Sequence, residues 1–400
     1  MDNEDHIKEI AKKYALKNAL DYGSAKVDIV LNKVLNEIPE AKNNIKEVVK
    51  IISSIINKVN AMSKSSIETE TAKYTFAKKE ERVGLPELEW IRNDMHINTR
   101  FAPNPSGFLH IGHAKIAILC DEYSKKYNGK FYLRFDDTDP KTKKPIPEAY
   151  KQTIEDLNWL GCDIAEVFRQ SDRMQLYYKF AEILIKQDNA YVCTCNKKEM
   201  QENRKNGKAC TCRSLNQKES LKRWKKMLND YKEEEAVLRL KTDLQHINSS
   251  IRDWVMFRII EYSHPITGIK YRVWPLYNFA SAIDDHELNI TLIIRGKEHE
   301  INQMKQQYLF DAFSWKMPHI LEVGTLKVHG ELAHKSDIKI AINTGKLTGW
   351  DDPRAPTIMG FRAKGINPKA IRQYIINSGI KKHDSYLDLQ KIAAISKKIN

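Results

Sequence analysis

The stretch at residues 100–140 reads RFAPNPSGFLHIGHAKIAILCDEYSKKYNGKFYLRFDDTDP, and it decides the fold of this chain. An extended segment at 97–101 leads into a turn rich in Pro, Asn, Ser and Gly. An apolar-periodic helix then begins at His110, and a second strand covers 130–135. A helix N-terminus after a strand and a turn attracts anions, because its first N–H groups are unpaired and its dipole is positive there. The pattern therefore predicts a phosphate-binding α/β unit.

Two histidines stand at the start of that helix. His110 and His113 are three residues apart, so both imidazoles lie on one side of the first turn. Gly112 between them carries no side chain, which lets a flat ring and a phosphate approach the backbone closely. His-x-Gly-His alone is a weak signal, because paired surface histidines are usually just solvated. Here it follows Pro-Asn-Pro-Ser-Gly and precedes the acidic RFDDTDP segment, and this context favours a functional site.

With these flanks the chain resembles the class I aminoacyl-tRNA synthetases, and within them the glutamyl/glutaminyl group. The resemblance implies that His110 and His113 stabilise the reacting α-phosphate of ATP during adenylate formation. It implies that Arg100 and Asp136 hold the amino acid. The ATP-binding positions that it implies are Pro103, Gly107, His110, Gly112 and His113, with Lys335 and Ser336 from a later motif.

Arg295 decides the amino acid in this interpretation. It follows a largely apolar, β-branched segment at 290–294, which predicts a buried parallel strand whose carboxyl end faces a ligand crevice. The planar guanidinium matches a carboxylate bidentately. A surface arginine after a strand is the alternative, but the surrounding WPLYNFASAIDD and RGKEHEINQMKQQYLF resemble the glutamyl branch. The resemblance also implies that Tyr277 reaches the amino-acid side chain.

A second ATP motif is expected near residue 332. The family form is Lys-Met-Ser-Lys-Ser, whereas this chain has Leu332-Ala333-His334-Lys335-Ser336. Only Lys335 and Ser336 match, so we assign Lys335 to the leaving pyrophosphate, where a mobile ammonium neutralises growing negative charge. The chemistry implies Mg²⁺ with ATP, although the sequence shows no dedicated site for it.

Four of the six cysteines form two C-x-C pairs with a polar spacer between them. Four thiolates close a tetrahedral site and leave no open position, which predicts a structural metal. Zinc is favoured, iron is compatible with the spacing, and two reduced pairs without an ion are the alternative. In the resembled family an inserted acceptor-end domain often carries zinc here. The predicted ligands are Cys193, Cys195, Cys210 and Cys212, whereas Cys120 and Cys162 are expected to be small buried residues.

Composition adds constraints on partners and location. The chain has 66 Lys and Arg against 52 Asp and Glu, a net charge of +14, which favours a polyanionic partner, although a Lys-rich coding bias gives the same excess. No apolar run is long enough to span a membrane and the N-terminus lacks a secretory signal. The cysteine pattern does not resemble a secreted disulfide framework. The sequence therefore predicts a cytoplasmic protein.

The remaining segments predict the organisation of an α/β protein. Three apolar stripes before residue 60 predict amphipathic helices, as in the N-terminal extension of the archaeal and eukaryotic branch; this is either a packing appendage or a docking surface. Residues 64–89 read as a polar linker. Further helices are expected at 146–160, 174–187, 221–235, 368–378 and 386–399, and strands at 235–240, 252–262 and 269–274.

The predicted fold is a doubly wound, parallel, Rossmann-like α/β catalytic domain with an inserted α+β acceptor-binding domain, an N-terminal helical extension and a C-terminal helical stem-contact region. Five regions are predicted: the extension and linker at 1–89, the catalytic halves at 90–187 and 274–330, the insertion with the metal site at 188–273, and the lysine-motif loop and stem-contact helices at 331–400.

The resemblance, to the archaeal-type glutamyl-tRNA synthetases, implies ATP-dependent ligation of glutamate to tRNA-Glu through a glutamyl-adenylate, with tRNA-Gln as a further substrate to consider. The family's anticodon-binding β-barrels do not follow residue 400, so we expect a separate chain or a longer product to carry them. Two alternatives are a shortened paralogue that glutamylates a modified tRNA base, and a catalytically impaired tRNA-binding subunit.

Overall fold

The computed structural model describes residues 2–76, 84–92, 95–328, 332 and 335–399. The chain forms two compact units, residues 1–81 and 82–400, and each is described by itself. The first unit contains four α-helices in its described part: α1 (Asp2–Tyr22), α2 (Val27–Glu37), α3 (Ile45–Asn60) and α4 (Lys64–Thr71).

The first unit is held together by small and β-branched side chains. Ala11 and Ala15 on α1 are fully buried, and their size lets the helices approach closely. Val30 and Val34 on α2 and Ile52 on α3 are also fully buried and complete the core. The three predicted helices are thus confirmed, because the apolar stripes face one another as amphipathic helices require.

The predicted linker at 64–89 is wrong in two places. Residues 64–71 form α4, in which Ser63 caps the N-terminus by accepting from the N–H of Ser66, and Ile67 packs into the core. A single apolar residue in a short helix gives no readable periodicity, so packing rather than propensity decides. Further on, Leu88 is buried in the second unit and its N–H donates to the Tyr127 hydroxyl over 3.0 Å.

The second unit contains the remaining elements. In chain order they are β1 (Thr99–Phe101), α5 (Ile111–Lys126), β2 (Phe131–Phe135), α6 (Pro147–Trp159), β3 (Ile164–Arg169), α7 (Met174–Lys186), β4 (Ala190–Cys193), α8 (Lys197–Lys205), α9 (Gln217–Asn229), β5 (Val237–Leu240), β6 (Val255–Ile259), β7 (Val273–Pro275), α10 (Tyr277–Glu287), β8 (Leu292–Gly296), α11 (Glu300–Ala312), β9 (His319–Val323), β10 (Leu326–Lys327), α12 (Lys335–Asn343), α13 (Ile358–Ala363), α14 (Pro368–Ser378), β11 (Ser385–Tyr386) and α15 (Leu389–Ile399).

The central sheet is parallel, with strand order β3-β2-β1-β8-β9. The chain runs outward from β1 to β3, then returns to the other side of β1 with β8 and continues outward to β9. This reversal between β1 and β8 is the topological switch point of a doubly wound fold, and a crevice opens there at the carboxyl ends of the strands. The parallel α/β fold predicted from the sequence is confirmed.

A second sheet, antiparallel, has the order β4-β5-β6-β7 and lies in sequence between β3 and β8. Trp224 of α9 and Trp274 of β7 are fully buried in the core beside it. Two sequence expectations are corrected here. Helix α9 is 217–229 and not 221–235, because Asn216 caps it by accepting from the N–H of Glu219. The strand expected at 269–274 begins only at Val273.

The C-terminal helices pack on the half of the fold that contains β1 and α5. Arg372 of α14 donates to both Asp121 and Glu122 on α5, which joins the two helices through a mostly buried ion pair. The helix expected at 386–399 begins only at Leu389, because Ser385 and Tyr386 pair in parallel with β10. In the described part of the chain, no helix combines the length and apolarity needed to cross a membrane.

Candidate active site and metal centre

A cavity of about 1270 Å³ lies at the switch point, where β1, β2 and β8 end. Its wall combines side chains from both halves of the parallel sheet with others from the segment between them. Eight of the residues that the sequence analysis singled out line it: Arg100, Pro103, His110, Gly112, His113, Asp136, Tyr277 and Arg295.

The histidine pair forms the start of α5. The Nδ1 atom of His110 accepts from the N–H of Gly112 over 3.1 Å, and Nδ1 of His113 accepts from the N–H of His110 over 3.3 Å. The two rings stack with centroids 3.8 Å apart. Because Nδ1 is an acceptor in both rings, the proton of each neutral imidazole is on Nε2. The two side chains thus cap the helix and fix their own tautomers at the same time.

Glycine at position 112 lets the His110 ring lie close to the backbone. A Cβ added there would lie 3.0 Å from Cε1 of His110 and 3.4 Å from the carbonyl oxygen of Leu326. The first contact is tighter than a normal van der Waals approach, so the His110 ring would have to shift by a few tenths of an ångström to accept a side chain.

The turn after β1 is attached to the end of β2. The side-chain amide of Asn104 donates to the carbonyl of Asp136 over 2.6 Å, and the N–H of Asp136 donates to the carbonyl of Pro103 over 3.1 Å. Asn104 also accepts from the N–H of Ser106, an Asx turn that holds the loop open toward the helix. These contacts bring the Asp136 carboxylate into the same wall as the histidines.

Behind the wall lies a buried cluster of ion pairs that the sequence analysis missed. Arg134 of β2 is fully buried and donates to Asp136 over 2.8 Å and to Asp285 over 2.7 Å. Arg100 of β1 donates two hydrogen bonds to the same Asp285, at 2.9 and 3.2 Å. Although burial raises the pKa of Asp285, the charges of Arg100 and Arg134 outweigh it and hold that pKa below its usual range.

A sequence signal for this cluster exists. Arg134 interrupts an otherwise apolar, aromatic strand, and Asp284 and Asp285 interrupt the apolar face of α10. Charged residues in such positions are buried only when paired. Pairing between two charge interruptions 150 residues apart was not evident from either segment alone.

Arg295 at the end of β8 has a different environment. Its Nη1 donates to the side-chain oxygen of Gln306 over 2.9 Å, whereas its Nε and Nη2 atoms are buried and unpaired among the described residues. Burial lowers the pKa of Arg295, and the neighbouring Tyr277 hydroxyl opposes that shift. A buried guanidinium with two unused donors at a cavity wall is suited to a carboxylate that binds from solvent.

Two predicted positions are not among the described residues of this wall, and the side chain of a third lies outside the described part of the structure. Gly107 and Ser336 lie outside the residues that line the cavity, and the Ser336 hydroxyl contacts Asp337 at 3.4 Å. Residues 333 and 334 and the side chain of Lys335 lie outside the described part of the structure. The backbone of Lys335 begins α12, and Leu332 of the same motif lines the cavity.

The four paired cysteines converge at the end of β4. The sulfur atoms of Cys193, Cys195, Cys210 and Cys212 all lie within 4.8 Å of one another. Two of the separations are 3.8 Å (Cys193 to Cys210) and 4.0 Å (Cys195 to Cys212). A tetrahedral site with metal–sulfur distances of roughly 2.3 Å has sulfur–sulfur edges of about 3.8 Å, so the arrangement fits a tetrahedral ion.

Arginine side chains surround these sulfurs. Arg223 donates to Cys212 over 3.3 Å, and Arg239 contacts Cys193 and Cys210 at 3.8 and 3.9 Å. A hydrogen bond from the Cys193 thiol lowers the pKa of Cys210 to about 5. Because a divalent ion with four thiolates carries two net negative charges, two guanidiniums in contact with the sulfurs provide matching compensation. The other two cysteines, Cys120 and Cys162, are buried, as the sequence predicts.

Comparison with known proteins agrees with this geometry. Residues 96–399 match the family described as tRNA synthetases class I (E and Q), catalytic domain. A glutamate–tRNA ligase from Thermococcus onnurineus is 48% identical over 98% of this chain and 70% of the relative. Those from Pyrococcus furiosus and Sulfolobus acidocaldarius are 47% and 43% identical, each over 98% of this chain and 70% and 71% of the relative.

Solved structures support the fold. A glutamate tRNA ligase from Elizabethkingia meningosepticum has a TM-score of 0.56 and 21% identity, over 76% of this chain and 70% of that chain. The chain matches the family profile over most of its length and the archaeal relatives over nearly all of it, and the switch-point cavity stands where that fold places its ligands. The chain therefore belongs to the glutamyl/glutaminyl group of the class I tRNA synthetases.

Proposed function

We propose that this chain ligates glutamate to tRNA in an ATP-dependent reaction, with the switch-point cavity as the active site. The observation that carries the proposal is the placement of the unpaired Arg295 guanidinium in the same wall as the His110–His113 pair. A carboxylate-binding group and a phosphate-binding helix start are thus combined in one cavity. Membership of the ligase family supports the same reaction, and it does not favour a paralogue that modifies a tRNA base.

In the first step the α-carboxylate of glutamate attacks the α-phosphate of ATP, pyrophosphate leaves and a glutamyl-adenylate forms. We assign the Nε2–H groups of His110 and His113 to the α-phosphate oxygens, where negative charge increases in the transition state. The N-terminus of α5 adds its dipole to the same place. Mg²⁺ accompanies ATP as part of that substrate, and the Lys335 ammonium is assigned to the pyrophosphate.

The amino acid is oriented by four residues. Arg295 binds the side-chain carboxylate of glutamate, and Tyr277, whose hydroxyl interacts with Arg295, supports it from the adjacent α10. Asp136, which follows β2, and Arg100 of the neighbouring β1 are assigned to the amino and α-carboxylate groups. Little covalent chemistry is asked of the protein, since positioning and electrostatics supply most of the rate.

In the second step the adenylate is passed to the 3′-terminal ribose of tRNA. We propose that the acceptor end binds at the insertion of residues 188–273, where the four cysteines hold a structural zinc ion that fixes β4 against the segment at 210–214. The net charge of +14 supports a polyanionic partner. The five regions given by the sequence analysis and a cytoplasmic location are part of the same proposal.

Exchange of pyrophosphate into ATP, with glutamate and tRNA present, tests the proposal. Arg295→Ala should lower kcat/KM for glutamate by about thirtyfold to several thousandfold, since an uncompensated carboxylate costs about 2–5 kcal/mol. Arg169→Ala is the matched control, because Arg169 is 42% exposed and paired with Asp172 outside the cavity. Unchanged glutamate kinetics in Arg295→Ala would contradict the assignment, and absence of any glutamate-dependent exchange in the parent would contradict the function.

A further inference from the structure

Most of the buried charges around the cavity are paired with charges of opposite sign. Arg100, Arg134 and Arg173 are paired with Asp136, Asp284 and Asp285, so that three guanidiniums meet three carboxylates. Arg295 stands outside this set, and no carboxylate of the described residues lies within ion-pair distance of it. Its guanidinium donates to the amide oxygen of Gln306 on α11 and also interacts with the Tyr277 hydroxyl. Two buried cations of the cavity wall therefore have no carboxylate within ion-pair distance among the described residues: Arg295, and Lys115, whose ammonium donates to the carbonyl oxygen of Gly324 over 2.7 Å.

Gln306 is itself unusual. It is 1% exposed, it packs on a helix face with the buried Leu309 and Phe310, and its Nε2 has no hydrogen-bond partner in the described part of the chain. A buried, unpaired amide N–H destabilises the folded state, because it has lost its hydrogen bonds to water. Methionine would fill the same volume without that cost, and glutamate would replace the unpaired N–H by an oxygen and form an ion pair with Arg295. Packing alone therefore does not explain an amide here.

We propose that Gln306 is a specificity-determining positioning residue, whose neutral amide orients the Arg295 guanidinium and leaves its charge uncompensated for the substrate carboxylate. The inference rests on the proposed role of Arg295 in binding glutamate. An oxygen acceptor is required because it fixes Nη1 of the guanidinium and leaves Nε and Nη2 available to the substrate carboxylate. Neutrality is required because a carboxylate at this position would neutralise the charge of Arg295, which selects glutamate over glutamine.

Two nearly isosteric substitutions should lower glutamate activation by different amounts. Gln306→Glu introduces a buried partner for Arg295, so the free protein should be at least as stable as the parent while glutamate activation falls by about a hundredfold or more. Gln306→Met keeps neutrality and volume but loses the acceptor, so activation should fall by about tenfold, the usual effect of one hydrogen bond to a charged group. A residue that only packs would show parallel changes in stability and activity.

The decisive measurement is discrimination between amino acids. Pyrophosphate exchange is measured with glutamate and with glutamine, and the ratio of the two kcat/KM values is compared across variants alongside the thermal midpoint. Gln306→Glu should lower this ratio at least tenfold, chiefly through KM for glutamate, because the charge of Arg295 is already neutralised. Gln307→Glu is the matched control: it makes the same chemical change on the next residue of α11, which is exposed.

The outcomes separate the inference from the function on which it rests. A glutamate-to-glutamine ratio within threefold of the parent in Gln306→Glu, in a folded protein, overturns the role of Gln306. An equal loss of activity toward both amino acids also overturns it, since that indicates a general structural effect. Arg295→Met is measured in parallel: if it retains the parent's glutamate kinetics, the proposed role of Arg295 fails and the inference fails with it.

Discussion

The arginine–aspartate cluster behind the active site and the four-cysteine cluster at the end of β4 are both buried and polar, but their charges are balanced in different ways. Arg134 and Asp285 belong to a set in which the protein supplies both signs of charge. The sulfurs of Cys193 and Cys210 face one guanidinium. The four clustered cysteines still need a cation at their centre if all of them are to ionise. The charges of the first cluster are balanced within the polypeptide itself, whereas those of the second would require a bound cation.

Of the changes that test this comparison, removal of the metal should change protein stability the most. We expect about one zinc ion per chain, and a structural zinc site contributes on the order of 10–16 kcal/mol of apparent binding free energy at neutral pH. A strong chelator, or Cys210→Ser, should therefore unfold the region around β4 and lower the thermal midpoint, while zinc restores it in the chelated parent. Elemental analysis that finds neither zinc nor iron in a folded, active preparation would contradict the site.

Removing one carboxylate from the balanced cluster should be the next largest effect. Asp285→Ala leaves the guanidiniums of Arg100 and Arg134 buried without a shared partner, which costs about 3–5 kcal/mol. The change is measured as the free energy of unfolding in urea at constant zinc. Glu155→Ala, which removes an exposed partner of Lys151 on α6, is the control and should change stability by less than about 1 kcal/mol. Equal effects of the two substitutions would show that the cluster does not stabilise the fold.

Substitutions in the histidine pair test the chemical role of the residues that line the cavity. His110→Ala and His113→Ala should each lower the adenylation rate by about a hundred- to a thousandfold, the usual effect of removing one donor from a developing oxyanion. The effect should fall on kcat in pyrophosphate exchange, because these donors matter most in the transition state. A change confined to KM for ATP would assign them to ground-state binding. Because His110 also caps α5, His110→Asn, which keeps a capping side chain, separates the two roles.

The carboxyl of Asp156 on α6 should have the smallest effect on stability, and that effect should depend on pH. Burial raises the pKa of this carboxyl to about 6, although Gln152 and Arg362 oppose the shift. Since the folded-state pKa lies above the unfolded one, the folded state binds more protons between about pH 4 and 6. Stability should therefore fall as pH rises through that range, by roughly 1–2 kcal/mol in total. Asp156→Asn should remove this part of the pH dependence in urea titrations, and an unchanged slope would contradict it.

The sequence predicted the parts of the molecule whose signals are local. The turn before His110, the helix after it and the strand ending before Asp136 form one continuous segment, so spacing and turn chemistry were enough to place them. The parallel strand before Arg295 was found in the same way, although it runs to Gly296 and begins two residues later than expected. The paired cysteines needed only their own spacing, and the structure brings their sulfurs together.

What the sequence did not reveal depends on contacts between distant segments. The partners of Arg134 and Arg100 come from α10, and Gln306 looks like any polar residue of an amphipathic helix until its side chain is seen against Arg295. Helix α4 was missed because one apolar residue carries its packing. These are cases in which tertiary packing overrides local preference, and no window of sequence contains both members of the interaction.

The strand order has a consequence for how the chain is made. β1 cannot complete its pairing until β8 has been synthesised. Next to this pair, the N–H of Asn98 donates to the hydroxyl of Thr291, which lies 193 residues further along the chain. At about 5–20 residues per second, ribosomes need roughly 10–40 s to synthesise that interval. During this time the nascent three-stranded sheet exposes one edge of β1, which is a template for aggregation. The edge closes only when β8 pairs with β1, so this interval is the period in which the nascent chain is most prone to aggregate.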